Sequence, residues 1–430
     1  MVLVNVSMLA APGVETLSGR CAIVVRVKRS CARHPDGDTG IKTGKVVKRI
    51  CVVLVVDDLG YGGAERQVVE LANNLDGNRF DVHVCTLSSH LPLRDQLRDS
   101  DNKLHVIERK IRFDFTVVPR LARLLRKLKA DIVHGYLFRA EIATRLAGCI
   151  AGTKLIIGSE RNANRIEIRK SNILAYRLTQ RCVDMVIANS HAGVESNRKI
   201  FKMPSSYYRV VHNGVDTERF YPMDGTTMQR KLGIPVQCPV VGAFASFKRQ
   251  KNHTMLFRTF RVVLESFPEA RLILVGDEPT DSRGRLVKYR AQLNRLIDDL
   301  GIRQQCMFLG HQNHTEYIYP VCDITVLTSF HEGTPNVLLE SMACGVPVVA
   351  TDVCDNRYIV REGETGHLVE VGDEAGMARR ITRLLSDHAR RQEMGRSARE
   401  WMMREFSTKR LAEKMEAIYI ELLNTNSAAL

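Results

Sequence analysis

From Arg49 onward the chain alternates short β-branched runs with stretches whose apolar positions recur at helical spacing, the mark of a doubly wound parallel sheet. A first series of strands is predicted over 50–56, 82–86, 104–107, 132–134, 155–158, 185–188 and 208–211. Helical patterns fill the gaps, for example over 64–75 and 117–128. A second series follows over 240–245, 272–275, 307–309, 324–327, 346–350 and 367–371. Between them, 214–225 carries Asp216, Pro222 and Gly225 and reads as a linker. The last amphipathic pattern, 408–423, presents Leu411, Met415, Ile418, Tyr419 and Leu422 on one stripe. The expected fold class is therefore α/β, with two Rossmann-like domains over 49–213 and 226–405 and a terminal helical segment over 406–425.

Composition narrows the class. A chain of 430 residues exceeds one ordinary core and suits two domains. Eleven cysteines stand singly, with no Cys-x-x-Cys pair and no His at zinc spacing. That argues against a disulfide framework and a structural metal, and makes the reducing cytoplasm the expected setting. No run approaches the roughly 20 apolar residues a membrane-spanning helix needs. The first residues lack a basic leader, so no signal peptide is assigned. A formal net charge of +15 points to anionic partners. Part of that charge lies before residue 49, in a stretch with Gly, Pro and Asp breakers, and 1–48 is expected to be a poorly ordered extension. Nucleic acid would explain the charge, but aromatic content is 6% and no basic–aromatic interleaving occurs, so it is not expected as a partner.

The most informative chemistry lies in 329–352. Glu332 and Glu340 stand eight positions apart, with Gly333 and Pro335 between them and an apolar helical pattern after them. This puts one carboxylate in a loop and the other inside the helix it opens. A helix start offers unpaired N–H groups and a positive dipole end to an anion. The second acid can receive vicinal hydroxyls such as those of a ribose. Together they describe a pocket for a sugar joined through a diphosphate to a nucleoside. The loop 57–63 after the first strand carries Gly60, Gly62 and Gly63, but a dinucleotide fingerprint fails because Glu65 holds its third glycine position.

The Glu-x7-Glu element, with the Gly345-Val346-Pro347-Val348-Val349-Ala350-Thr351-Asp352 strand after it, resembles the signature of family 4 retaining glycosyltransferases of the GT-B fold. Gly62-Gly63-Ala64-Glu65-Arg66, His212-Asn213-Gly214-Val215-Asp216, Lys251-Asn252-His253 and Gly363-Glu364-Thr365-Gly366 extend the resemblance, in order, over 49–425. It implies transfer of a glycosyl group from a nucleotide sugar with retained anomeric configuration, and a last helix that crosses back onto the first domain. The catalytic residues implied are Glu332, at the donor sugar or its developing charge, and Lys251, which offsets charge on the leaving diphosphate. Relatives carry an Arg five residues before that Lys, where this chain has Ser246; Lys248 or Arg249 would replace it, Lys248 being preferred.

The donor would further meet Gly62 and Gly63, backbone groups around Gly333, Thr334, Asn336 and Val337, Glu340 at the ribose, and Gly310 in the loop that resembles a nucleobase contact. Gly276-Asp277-Glu278-Pro279 resembles a further donor element but has Glu278 in place of a glycine. His134, at a predicted strand end, is the third catalytic candidate, expected at the cleft near donor or acceptor. Glu65, Arg66, Arg161 and Asn162 are acceptor candidates, Glu65 and Arg66 being otherwise exposed helix charges. Asp57-Asp58 is not an Asp-x-Asp element, and no obligatory metal or other cofactor is expected.

The donor class implied is a UDP- or GDP-sugar, and the acceptor a lipid-linked or polysaccharide precursor of a bacterial surface glycan. The rivals are a nucleotide-sugar epimerase or hydrolase, and a non-catalytic nucleotide-sugar-binding protein. The stretch 117–129 sets Leu121, Leu124, Leu125 and Leu128 against Arg120, Arg123, Arg126, Lys127 and Lys129. It reads either as a core-packed helix with a solvated back or as a peripheral contact with the anionic inner face of the cytoplasmic membrane.

Overall fold

The computed structural model describes residues 48–111, 114–161, 170–277 and 289–428. The expected extension, apart from Lys48, lies outside them, as do Asn162 and Glu278. A first sheet contains β1 (Ile50–Val56), β2 (Phe80–Thr86), β3 (Leu104–Val106), β4 (Ile132–Tyr136), β5 (Leu155–Glu160), β6 (Met185–Ala188) and β7 (Tyr208–Val210). Its order is β3-β2-β1-β4-β5-β6-β7, and each neighbouring pair is parallel. A second sheet contains β8 (Val240–Phe244), β9 (Arg271–Val275), β10 (Cys306–Gly310), β11 (Ile324–Leu327), β12 (Val348–Thr351) and β13 (Gly366–Val369), in the order β10-β9-β8-β11-β12-β13. Both are doubly wound Rossmann-like sheets, as the alternating pattern predicts.

β1 shows why these runs become central strands. Val52, Leu54 and Val56 pack into one hydrophobic cluster while Val53 and Val55 pack into another, so both faces of the sheet are covered. The helices used below are α1 (Gly63–Asn74), α2 (Val117–Leu128), α3 (Phe138–Ala151), α4 (Lys170–Thr179), α5 (His191–Phe201), α6 (His253–Ser266), α7 (Asn336–Ala343) and α8 (Thr408–Ala428). α8 places Leu411, Ala412, Met415 and Tyr419 in the same cluster as Val52, Leu54 and Ile132 of the first sheet.

Some boundaries differ from the sequence pattern for local reasons. β12 begins at Val348, not 346, because Gly345 (φ +72°) ends α7 in a left-handed turn and Val346 N–H still donates to Ser341 O at 3.1 Å. Pro347 then has no N–H to give a ladder. β13 stops at Val369 because Asp373 N–H donates to Glu370 O at 3.1 Å, closing a turn.

In an open α/β sheet, ligands gather beyond the carboxyl ends of strands where the order reverses. That point lies between β1 and β4 in the first sheet and between β8 and β11 in the second. The loops after β1, β8 and β11 are those carrying Gly62 and Gly63, Lys251, and Glu332 respectively. Topology thus brings together three motifs that are far apart in sequence.

Candidate functional site

The Lys251 and Glu332 loops are stitched into one unit. Gln250 Nε2 donates to His331 O at 2.8 Å, Phe330 N–H donates to Gln250 O at 2.9 Å, and Thr328 Oγ1 donates to Lys251 O at 2.9 Å. The chain then reverses at Asn252 (φ +47°), whose side chain accepts from Met255 N–H at the start of α6. Held in this way, Lys251 Nζ lies 2.5 Å from Glu332 Oε1, which also accepts from Ser329 Oγ at 2.5 Å. The two paired side chains are only 17% and 8% exposed.

Glu340 sits two turns into α7. Tyr319 Oη donates to its Oε2 at 2.8 Å, and Arg66 Nη1 lies 3.5 Å from its Oε1. Burial pushes the Glu340 carboxyl above the usual carboxylate range, against the pull of Arg66 and Tyr319. It borders a polar cleft that Arg66, Gln67, Glu70, Arg219 and Asn336 also line. Glu70, on α1, is raised to about 7 by burial first and by Asp216 second.

The glycine loop approaches this cleft from the first half. A Cβ on Gly63 would lie 3.4 Å from Asn336 Nδ2, and one on Gly62 would overlap the Glu65 carboxylate. The backbone at Gly63 therefore passes within side-chain reach of α7, while the Gly62 position is filled by the Glu65 carboxylate. Opposite, Gly310 is left-handed (φ +65°), its carbonyl accepting from Gly276 N–H at 2.9 Å, while Asp277 Oδ1 accepts from His311 N–H at 2.9 Å. Thr334 donates through its hydroxyl to Asn189 O, and Asn213 Nδ2 donates to Asn336 Oδ1 at 2.7 Å and Thr334 O at 3.1 Å. The loop leading into α7 is thereby clamped to the first half, with Val337 half-buried in the first turn.

Several expected residues stand elsewhere. His134 does not reach the cleft: β4 continues to Tyr136, and the imidazole is fully buried beneath α8, its Nδ1 2.8 Å from Tyr419 Oη. Burial, helped by Arg161, holds it well below the ordinary histidine range, so it is neutral core. Arg66 faces Glu340 across the cleft. Glu65 folds toward Gly62 at the helix start, its carboxyl raised by burial. Arg161 donates to Asn213 Oδ1 and Ser159 Oγ at 2.9 Å each and lies over the Tyr136 ring, joining the clamp on the loop leading into α7. Lys248 is exposed, whereas Arg249 leans toward Gln292 and Tyr289. On α2, Leu121 and Leu125 are buried and Leu124 and Leu128 pack against them, so its aliphatic face is core and only the basic back is solvated.

Tyr319, Asn189 and Asp355 escaped sequence reasoning; none stands in a charged or glycine-rich run, and their partners lie more than twenty residues away. Among the described residues, groups of acids, histidines and cysteines close enough to share a cation are Cys51, Asp81 and His83, and His191, His212 and Asp355. Neither includes Glu332 or Glu340.

Two family models match the chain: "Glycosyltransferase Family 4" over residues 61–219 and "Glycosyl transferases group 1" over 224–401. The chain is 27% identical to an N-acetyl-alpha-D-glucosaminyl L-malate synthase of Bacillus anthracis, over 72% of this chain and 80% of that protein. It is 25% identical to the UDP-Gal:alpha-D-GlcNAc-diphosphoundecaprenol alpha-1,3-galactosyltransferase of Escherichia coli, over 84% and 94%. The structure of Anabaena HepE in complex with UDP-glucose superposes with a TM-score of 0.75 at 20% identity, covering 87% of this chain and all of that one.

Proposed function

The chain belongs to the family 4, group 1 glycosyltransferases and is a glycosyltransferase, and from that premise we propose that it moves a hexosyl group, with retention, from a UDP- or GDP-sugar to a lipid-linked or polysaccharide precursor of a bacterial surface glycan. The observation that carries the reading is the Lys251–Glu332 pair, on loops from adjacent strands, with the buried Glu340 eight residues on in the helix that the Glu332 loop opens. The E. coli galactosyltransferase, with its undecaprenol-linked acceptor, and the UDP-glucose complex of HepE support the choice of acceptor and donor.

In this reading Glu340 exchanges Arg66 for the ribose hydroxyls, with Tyr319 holding its other oxygen. Backbone groups of 333–337 at the start of α7 meet the diphosphate and sugar hydroxyls. Lys251 swings from Glu332 toward the diphosphate as charge grows there, a contact stronger in the transition state than before it. Glu332, freed of part of its pairing, faces the sugar whose anomeric carbon turns positive. The acceptor hydroxyl attacks on the face from which the diphosphate departs. Its oxygen bonds to the anomeric carbon, the carbon–phosphate-oxygen bond breaks, and the departing phosphate oxygen takes the proton. Glu332 and Glu340 are not a glycosidase pair flanking one bond, because Glu340 is engaged with Tyr319 and Arg66 on the ribose side.

No described helix is long and apolar enough to cross a membrane. A lipid-linked acceptor therefore implies peripheral contact, through the exposed Arg123, Arg126 and Lys127 of α2 and the exposed Leu174 and Leu178 of α4. The test is a thermal-shift screen of UDP-, GDP- and ADP-sugars, then turnover on lipid-linked acceptors with the product anomer assigned by NMR. An inverted product refutes retention. Free sugar or epimer formed without acceptor assigns the site to a hydrolase or epimerase instead.

A further inference from the structure

The turn 189–192, between β6 and α5, belongs to the first half but is gripped from both sides by the second. On one side Thr334, next but one to Glu332, donates to Asn189 O. On the other, Asp355 accepts from His191 N–H at 2.8 Å and Ala192 N–H at 3.1 Å, the first N–H groups of α5. The same carboxylate meets His191 Nδ1 and His212 Nε2, each at 2.9 Å. Tyr358 stacks on His191 at 4.5 Å between ring centres. All four partners of Asp355 lie in the first half, and the side chain is 1% exposed. These bonds hold the carboxyl down to about 2, against its burial, so it is anionic at neutral pH. A helix N-terminus favours that anion.

Asp355 is also linked to the donor loop. Cys354, left-handed at φ +49°, turns the chain into Asp355, whose carboxylate seats on residues 191 and 192, next to the Asn189 carbonyl that accepts from Thr334 of that loop. We infer that Asp355, seated on His191, His212 and the start of α5, is a positioning residue for glycosyl transfer: it locks the closed cleft and fixes the 332–336 loop against the first sheet. Its kinetic consequence rests on the transfer reading above; the closure itself rests on geometry alone. A loop displaced by about 1 Å loses on the order of a hundredfold in rate without losing the nucleotide, which the second half still holds.

The experiment compares wild type with Asp355→Ala, Asp355→Asn and, as a surface control, Arg357→Ala. Small-angle scattering is recorded with and without UDP, UDP affinity by calorimetry, and kcat on the donor found in the screen. Expected is a 10- to 100-fold fall in kcat for Asp355→Ala, UDP affinity within threefold of wild type, and a larger radius of gyration with UDP. Asp355→Asn, which keeps one accepting oxygen, should fall between, and it carries the test if the alanine variant fails to fold. Wild-type kcat and wild-type compaction in the folded Asp355 variants overturn the inference. If wild type turns over no nucleotide sugar, the transfer reading fails, and scattering of the ligand-free variants still decides the latch.

Discussion

Replacing Lys251 with alanine separates two consequences of the same ion pair. The ammonium lies 2.5 Å from Glu332 Oε1, and both side chains are mostly shielded from water. In catalysis, a charged contact realised chiefly in the transition state is worth about 3 kcal/mol, so kcat should fall roughly a hundredfold while the donor KM changes little. In folding, the substitution leaves the Glu332 carboxylate with Ser329 as its remaining side-chain donor. Breaking a buried pair from one side costs about 3–5 kcal/mol, and the residual exposure of this one brings the figure nearer 2 kcal/mol. Glu332→Gln in the Lys251→Ala background removes the unpaired charge and should return most of that stability, but none of the turnover. The assays are urea unfolding midpoints for the two single variants and the double variant, with single-turnover rates at saturating donor. Undiminished kcat in Lys251→Ala would refute the transition-state role. Additive stabilities would refute the coupling.

Glu340→Gln should weaken UDP binding by roughly 10- to 100-fold, the worth of a charged hydrogen bond, with a smaller effect on kcat; calorimetry showing unchanged affinity removes Glu340 from the ribose. Glu70 has a folded value near 7 against an ordinary 4.5, so the fold holds its proton more tightly than the unfolded chain does. Its stabilising contribution is complete at low pH and is lost as pH rises through 7, by up to about 3 kcal/mol. Glu70→Gln should therefore unfold at higher urea than wild type at pH 8 and lose its advantage near pH 5; parallel pH profiles would contradict this. Reversing Arg123, Arg126 and Lys127 to Glu should abolish salt-sensitive flotation with acidic liposomes, basic residues near such a surface being worth about 1 kcal/mol each. Equal flotation of the triple variant would show that α2 does not face the leaflet.

The fold was legible because its central strands are short apolar runs bounded by turns, and three of them, β1, β6 and β11, both begin and end where the pattern says. The cleft was legible where one loop carries its own meaning: the Glu332 to Glu340 interval fixes a loop acid and a helix acid whatever surrounds them. What failed depends on partners far away in the chain. His134 looked like a cleft residue because a strand end after Asp131-Ile132-Val133 is plausible. Only Tyr419, 285 positions later, shows that the imidazole is covered. The contact of Arg66 with Glu340 was not legible, because sequence cannot say how close α1 comes to α7. The leucines of α2 have the same spacing whether they meet a sheet or a lipid, so their burial could be known only from the packed first half. Asp355 gave no signal, since its seat is built from two histidines and two backbone groups supplied by another part of the chain.

The chain passes between the two sheets twice, at 214–215 and at 406–408, and the passages lie side by side. Val215 N–H donates to Phe406 O at 2.7 Å, and Thr408 N–H donates to Val215 O at 3.0 Å. Gln67 of α1 grips Gly214 through both its amide N–H and its amide oxygen, at 2.8 Å each. A lone crossing would behave as a swivel, free to twist in any direction. A bonded pair is a flexure: it bends across its width and resists torsion. Any opening of the halves would then follow one arc, and closure would bring Asp355 back to the same seat and Glu332 back to the same register. Deleting α8 would cut one of the two straps, and the cleft, though every residue lining it remained, would no longer know which way to shut.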